Sequence, residues 1–124
     1  MKQQIITDGA PLAEAILSQA ILANGFVFVA GQIHNTVEGK VIEGSVSEKL
    51  AQIMQNISAI LGAAQSSLNS VVSATIYVTD MAQMAELNAE YPKYFKSSLP
   101  ARAAICVKEL PLGATIEISV VAVV

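Results

Sequence analysis

Asn24-Gly25 sits between two apolar runs, Leu17 to Ala23 and Phe26 to Ile33, and this junction constrains the fold more than any other feature of the chain. Tight two-residue hairpins need positive φ at both central positions, which Asn and Gly tolerate best. The two runs are therefore expected to fold back on each other as an antiparallel pair. Ahead of them, Lys2 to Thr7 reads as a short strand closed by Asp8-Gly9-Ala10-Pro11.

Beyond a polar, loop-like stretch at Val37-Glu38-Gly39-Lys40, Ser45 and Glu48 have the spacing of a capping box, so a helix is expected to start there. Leu50, Ile53, Met54, Ile57, Ile60 and Leu61 form its apolar stripe, and Gly62 is placed to end it or to cap its last turn. From Val71 to Thr79 the chain alternates, with Val72, Ala74, Ile76 and Val78 on one side of a strand. Asp80 is expected to cap a second helix, with Gln83 in the reciprocal position and Met84, Leu87, Tyr91, Tyr94 and Phe95 facing inward. Pro92 has no N–H for the carbonyl of Asn88, so that helix should kink or restart there. Strands over Ala101 to Lys108 and Thr115 to Val124, separated by Leu110-Pro111-Leu112-Gly113, complete the pattern. The sum is an α+β fold, a mixed sheet of about six strands with two helices on one face.

The other face of that sheet has no helix left to cover it. Hydrophobic residues make up 53% of the 124 residues and charged ones 14%, and the last strand ends Val120-Val121-Ala122-Val123-Val124, apolar on both sides. The chain is expected to be a single domain, 1–124, that buries its uncovered face against copies of itself. A net charge of -3 with no basic cluster makes nucleic acid an unsuitable principal partner. The longest apolar stretch, Ala20 to Ala30, is too short for a bilayer, and no signal-peptide core opens the chain. With Cys106 the only cysteine, no intrachain disulfide can form, and a reducing, cytoplasmic setting is expected. Cys106 reads as a small buried hydrophobe, and His34, the only histidine, as a loop residue in a polar turn rather than a general base. Zinc sites and histidine triads are thereby disfavoured.

Chemistry is left to carboxylates, arginine, backbone and water. Arg102 and Glu117 lie on consecutive apolar strands, and alone each reads as a surface charge. Their context changes that reading. Pro100-Ala101-Arg102, then Leu110-Pro111, then Ile116-Glu117-Ile118 together resemble the signature of the Rid (YjgF-type) reactive-intermediate deaminase family. Ser18-Gln19-Ala20, Gly31-Gln32-Ile33 and Asn88 with Tyr91 and Phe95 extend the resemblance over the whole chain. It implies a chorismate-mutase-like protomer, a homotrimer with clefts between subunits, and hydrolysis of 2-imino and enamine acids to 2-keto acids and ammonia, with no cofactor or metal and no membrane. Carried onto this chain, Arg102 would take the substrate carboxylate by two parallel N–H bonds and Glu117 would hold the attacking water. Gly31 and Ala104 would offer backbone contacts, and Asn88 would lie near the cleft. Two positions depart from the family pattern: Leu17 stands where tyrosine is usual, and Ala30 where a small polar residue is usual. Both lose a hydroxyl, so the alternative reading is a non-catalytic trimer of the same fold that binds small carboxylates.

Overall fold

The Asn24-Gly25 turn forms with φ of 54° and 81°, joining β2 (Ala20–Ala23) to β3 (Phe26–Ile33) as antiparallel neighbours. The computed structural model describes residues 1–124 and adds β1 (Gln3–Ile5), α1 (Val46–Ala63), β4 (Val71–Val78), α2 (Met84–Glu90), β5 (Ala101–Cys106) and β6 (Ile116–Val123). All six strands form one sheet in the order β1-β2-β3-β6-β4-β5, antiparallel except where β5 joins β4. This is the expected mixed α+β sheet. α1 crosses β3 and β6, and α2 packs beside α1 on the same face.

Local chemistry explains the helix boundaries. Ser45 Oγ accepts from the Glu48 N–H and the Glu48 carboxylate accepts from the Ser45 N–H, each at 3.1 Å, completing the expected capping box. Gly62 does not end α1, however. The helix runs through it, and Gln65 adopts the left-handed conformation at φ 61°. The Ser66 N–H then reaches the Leu61 carbonyl at 2.8 Å and the Gln65 N–H that of Gly62 at 3.0 Å, a Schellman closure made without glycine. Asp80 caps the short 3₁₀ turn Met81–Gln83 that leads into α2, through the Ala82 N–H at 2.9 Å. Gln83 gives no reciprocal bond to the Asp80 N–H; its amide donates to the Asp80 and Thr115 carbonyls. At Pro92 the α-helix passes into a 3₁₀ turn, Tyr91–Tyr94, as the missing N–H requires.

Three expectations about the strands change. The first hairpin strand starts at Ala20 rather than Leu17, because the N–H groups of Ile16 and Leu17 both close onto the Ala13 carbonyl at 3.0 and 3.1 Å. In β4 the alternation reverses at its start: Val71 is buried and Val72 exposed, because the register with β6 shifts between Val71 and Ser73. β5 stops at Cys106, and that thiol is exposed rather than packed, because β5 is the sheet's edge strand.

Under α1 and α2, Leu50, Ile53, Ile57, Leu87, Ile76 and Ile118 form a fully enclosed core. The opposite face carries no helix and leaves Phe26, Phe28 and Ile105 exposed.

His34 follows β3 in a bend, as expected of a loop residue, but it is buried, with 1% of its surface accessible. Its Nδ1 lies 2.8 Å from the Ile42 carbonyl, and its Nε2 accepts from the Thr115 N–H at 3.0 Å. Only the neutral ring with its proton on Nδ1 satisfies both bonds. Burial, with a smaller push from Lys49, holds its pKa below the usual 6.5. The unfolded chain therefore takes up a proton that the fold refuses. The stability from this site is complete above pH 6.5 and is lost as pH falls toward the lowered value. We expect the urea midpoint of the wild type to drop between pH 7.5 and 5 more than that of His34→Gln, whose amide keeps a donor and an acceptor without titrating. Equal drops would show that His34 does not couple to folding. His34→Ala, which leaves two part-buried backbone groups without their partner, is expected to cost up to about 1–3 kcal/mol for each.

Candidate functional site

Strand register divides the expected site residues between the two faces of the sheet. In β3, pairing with β6 shifts register between Val29 and Gln32, and Gly31 falls in this irregularity. The carboxylate of Glu117, on β6, lies directly over the Gly31 α-carbon: a Cβ built there would sit 2.8 Å from Glu117 Cδ and closer still to Oε2. Only glycine leaves room for this approach. Ala30, beside it and half-buried, is held by its N–H to the Gln19 carbonyl at 2.9 Å and by its carbonyl, which accepts from the Gln32 amide at 3.1 Å. Glu117 is half-buried, and burial alone pushes its carboxyl above the ordinary carboxylate range. With no donor from the chain holding it, this carboxylate is free to accept from a bound water or substrate. A raised pKa also makes it a better base at neutral pH than an exposed glutamate.

Arg102 belongs to the other group. It pairs in register with Ala74 of β4, which pairs with Val120 of β6; Ala74 and Val120 are buried beneath the helices. Glu117 pairs with Tyr77, three residues further along β4, in a row that ends at Ile105 of β5. An odd offset of three places Arg102 and Glu117 on opposite faces. Nor are their strands neighbours: β4 runs between β5 and β6, so about 10 Å separates the two strand axes. Consecutive in the sequence, they are not adjacent in the sheet.

The guanidinium of Arg102 lies over the ring of Tyr91, 5.0 Å from its centroid. It joins no ion pair; the one salt bridge in the chain, Lys93 to Glu90 at 2.7 Å, is elsewhere. Ala104, two residues along β5 and so on the same side, packs partly against the core. Asn88 is exposed on α2, three residues before Tyr91 and hence on the same side of the helical segment. Cys106 shares the parity of Arg102. Leu17 is exposed in the loop before β2, two residues ahead of Gln19, whose carbonyl holds the Ala30 N–H. That loop is tied down by Gln19, whose amide donates to the Thr7, Ala10 and Pro11 carbonyls and whose oxygen accepts from the Thr7 N–H.

One chain thus carries two separated half-sites, a carboxylate over Gly31 and a cation on Tyr91. A cavity of about 560 Å³ lies at the other end of the sheet between Met1, Gln3, Leu22, Asn24 and Val124, and touches neither. No group of three or more His, Cys, Asp or Glu side chains converges as a metal site would require, and no helix is long and apolar enough to cross a membrane. Tyr91 is the site residue whose role the sequence concealed. Its place one turn after Asn88 gave it a helical position but not its neighbour in β5.

A family model described as endoribonuclease L-PSP matches residues 7–124. The chain is 43% identical over 119 residues to "Protein MMF1, mitochondrial" of Saccharomyces cerevisiae, an alignment spanning 96% of this chain and 82% of that protein. To the 2-iminobutanoate/2-iminopropanoate deaminase of Bos taurus it is 37% identical over 124 residues, covering 99% of this chain and 90% of the relative. The crystal structure of yeast Mmf1 matches with a TM-score of 0.96 at 41% identity, covering 99% and 98% of the two chains.

Proposed function

Because this chain belongs to the Rid family, we propose that it is a cytoplasmic hydrolytic deaminase of 2-imino and enamine acids, a damage-control enzyme of one domain acting at clefts of a homotrimer. The observation that carries this reading is the carboxylate of Glu117, half-buried over Gly31 and engaged by no donor of the chain. A protonated 2-imino acid is already electrophilic at carbon, so little more is needed than a placed water and a group that moves protons. Glu117 takes a proton from water as its oxygen bonds to the iminium carbon. The same proton passes to the amine; as the C–N bond breaks, Glu117 takes the remaining hydroxyl proton so that the C=O forms, and a 2-keto acid and ammonia leave, the ammonia taking up that proton as ammonium. Arg102 holds the substrate carboxylate through its paired N–H groups.

Assembly supplies what the single chain lacks. Arg102 and Glu117 face opposite sides of the sheet, so a cleft between copies is where one subunit's cation would meet its neighbour's carboxylate. The apolar face bearing Phe26, Phe28 and Ile105 gives such copies a surface to bury. An RNA substrate, which the family description suggests, is disfavoured by 7 cations against 10 carboxylates.

The test is 2-iminobutanoate generated in situ by a threonine dehydratase, with keto-acid formation followed against the uncatalysed rate. Acceleration by wild type and none by Glu117→Gln is expected; no acceleration by wild type would overturn the reading. Since ionising Glu117 in its half-buried place is unfavourable, Glu117→Gln should unfold at the same or a higher temperature at pH 7. The wild-type kcat/KM should fall toward acid with a midpoint above 4.5, because the base must be ionised. Leu17 and Ala30, lacking hydroxyls, favour the second reading, a carboxylate-binding trimer. It predicts a raised Tm with 2-ketobutanoate and no turnover.

A further inference from the structure

Arg102 has a single partner in the chain, and that partner is a buried aromatic ring. The guanidinium carbon sits 5.0 Å from the Tyr91 centroid, and no carboxylate lies within ion-pair reach. We propose that Tyr91 is a positioning residue: its ring holds Arg102 in place for a carboxylate ligand while leaving both the charge and the N–H donors unspent. This rests on the reading of Arg102 as the carboxylate anchor.

The physical case begins with the alternatives. A free arginine on an edge strand has many rotamers, and binding an anion would have to freeze them. An acidic neighbour would fix it too, but would neutralise the charge and occupy the N–H fork that a substrate carboxylate needs. An aromatic face attracts the cation through the ring's negative π surface and consumes no donor.

Tyr91 is itself well fixed. It is 3% exposed, its ring meets Phe95 at 5.0 Å and 52°, and it stands where α2 passes into the 3₁₀ turn. Its hydroxyl is the one buried side-chain polar atom in the chain without a hydrogen-bond partner. A phenol kept for its hydroxyl would be expected to bond it. What the structure uses at this position is the ring, beneath Arg102 and against Phe95.

The experiment compares wild type, Tyr91→Phe, Tyr91→Leu and Arg102→Ala as assembled proteins. It measures Kd for 2-ketobutanoate and for its neutral amide by calorimetry, and KM and kcat with 2-iminobutanoate. Tyr91→Leu is expected to raise Kd for the carboxylate and KM about five-fold, as a cation–π contact implies, with kcat and the amide's Kd unchanged. Tyr91→Phe, which keeps the ring, should stay within about two-fold of wild type in KM and unfold no earlier, since it removes only an unpaired buried hydroxyl. Equal losses for carboxylate and amide would mean a packing defect and overturn the proposal, as would a KM for Tyr91→Leu within two-fold of wild type while Arg102→Ala loses carboxylate binding. If Arg102→Ala binds the carboxylate as wild type does, the anchor reading itself falls. Should Tyr91→Leu fail to fold, the δ-methylene protons of Arg102 decide by NMR in wild type and Tyr91→Phe. An upfield ring-current shift in both supports the contact, and its absence overturns it.

Discussion

Arg102→Ala is expected to lower kcat/KM for 2-iminobutanoate by at least about 100-fold while leaving the fold and assembly intact. Hydrogen bonds to charged groups contribute about 1.5–3 kcal/mol each, and a guanidinium gives a carboxylate two in parallel. Their loss together amounts to roughly two to four factors of ten. Little of this should appear as instability: Arg102 is exposed on the edge strand β5, makes no ion pair, and touches the fold through one cation–π contact. Arg102→Lys should recover only a small part, because an ammonium is a point charge without the fork. Steady-state rates for the three proteins, with Tm and mass in solution measured alongside, check this. Undiminished turnover in Arg102→Ala would remove the residue from the mechanism.

What the sequence could show was set by how local each cause is. Asn24-Gly25 and the Ser45–Glu48 box act across two or three residues, and both formed as their chemistry requires. The left-handed residue after α1 was less legible. Gly62 was the natural candidate, yet the closing bonds to Leu61 and Gly62 fall to Ser66 and Gln65, and no propensity predicts glutamine there. The burial of His34 in its bend was not legible because both groups that satisfy it, the Ile42 carbonyl and the Thr115 N–H, are set by the tertiary fold.

The same distinction governs the site. Residue types and spacing pointed to Arg102 and Glu117, and in β6 Glu117 does alternate with the buried Ile116 and Ile118. The sequence could not reveal that β4 enters the sheet between β5 and β6. Strand order depends on the crossover through α2, whose partners lie far away in the chain. That strand order separates two charges on consecutive strands, the register puts them on opposite faces, and together they make a second copy of the chain necessary to the proposed chemistry.

Gly31→Ala puts the carboxylate's position to the test without deleting it. The new Cβ would stand 2.8 Å from Glu117 Cδ and nearer to Oε2, and ordinary contact distance needs the carboxylate to retreat by roughly 1 Å. A displacement of that size at a reacting group costs about 100-fold in rate, so kcat should fall by about that much while the carboxylate remains present and ionisable. The backbone does not object, since Gly31 is not among the positions with positive φ. Replacing glycine by alanine at a compatible φ stabilises by about 0.4–1 kcal/mol through the unfolded chain, so Tm should hold or rise even as activity falls. In a Glu117→Gln background, where the base is already gone, Gly31→Ala should cost nothing further. Acting through one group, the two changes cannot be additive. Wild-type kcat in Gly31→Ala would mean that the water is activated elsewhere. An additive loss in the double variant would mean that Gly31 acts on the substrate through its own backbone rather than by making room for Glu117.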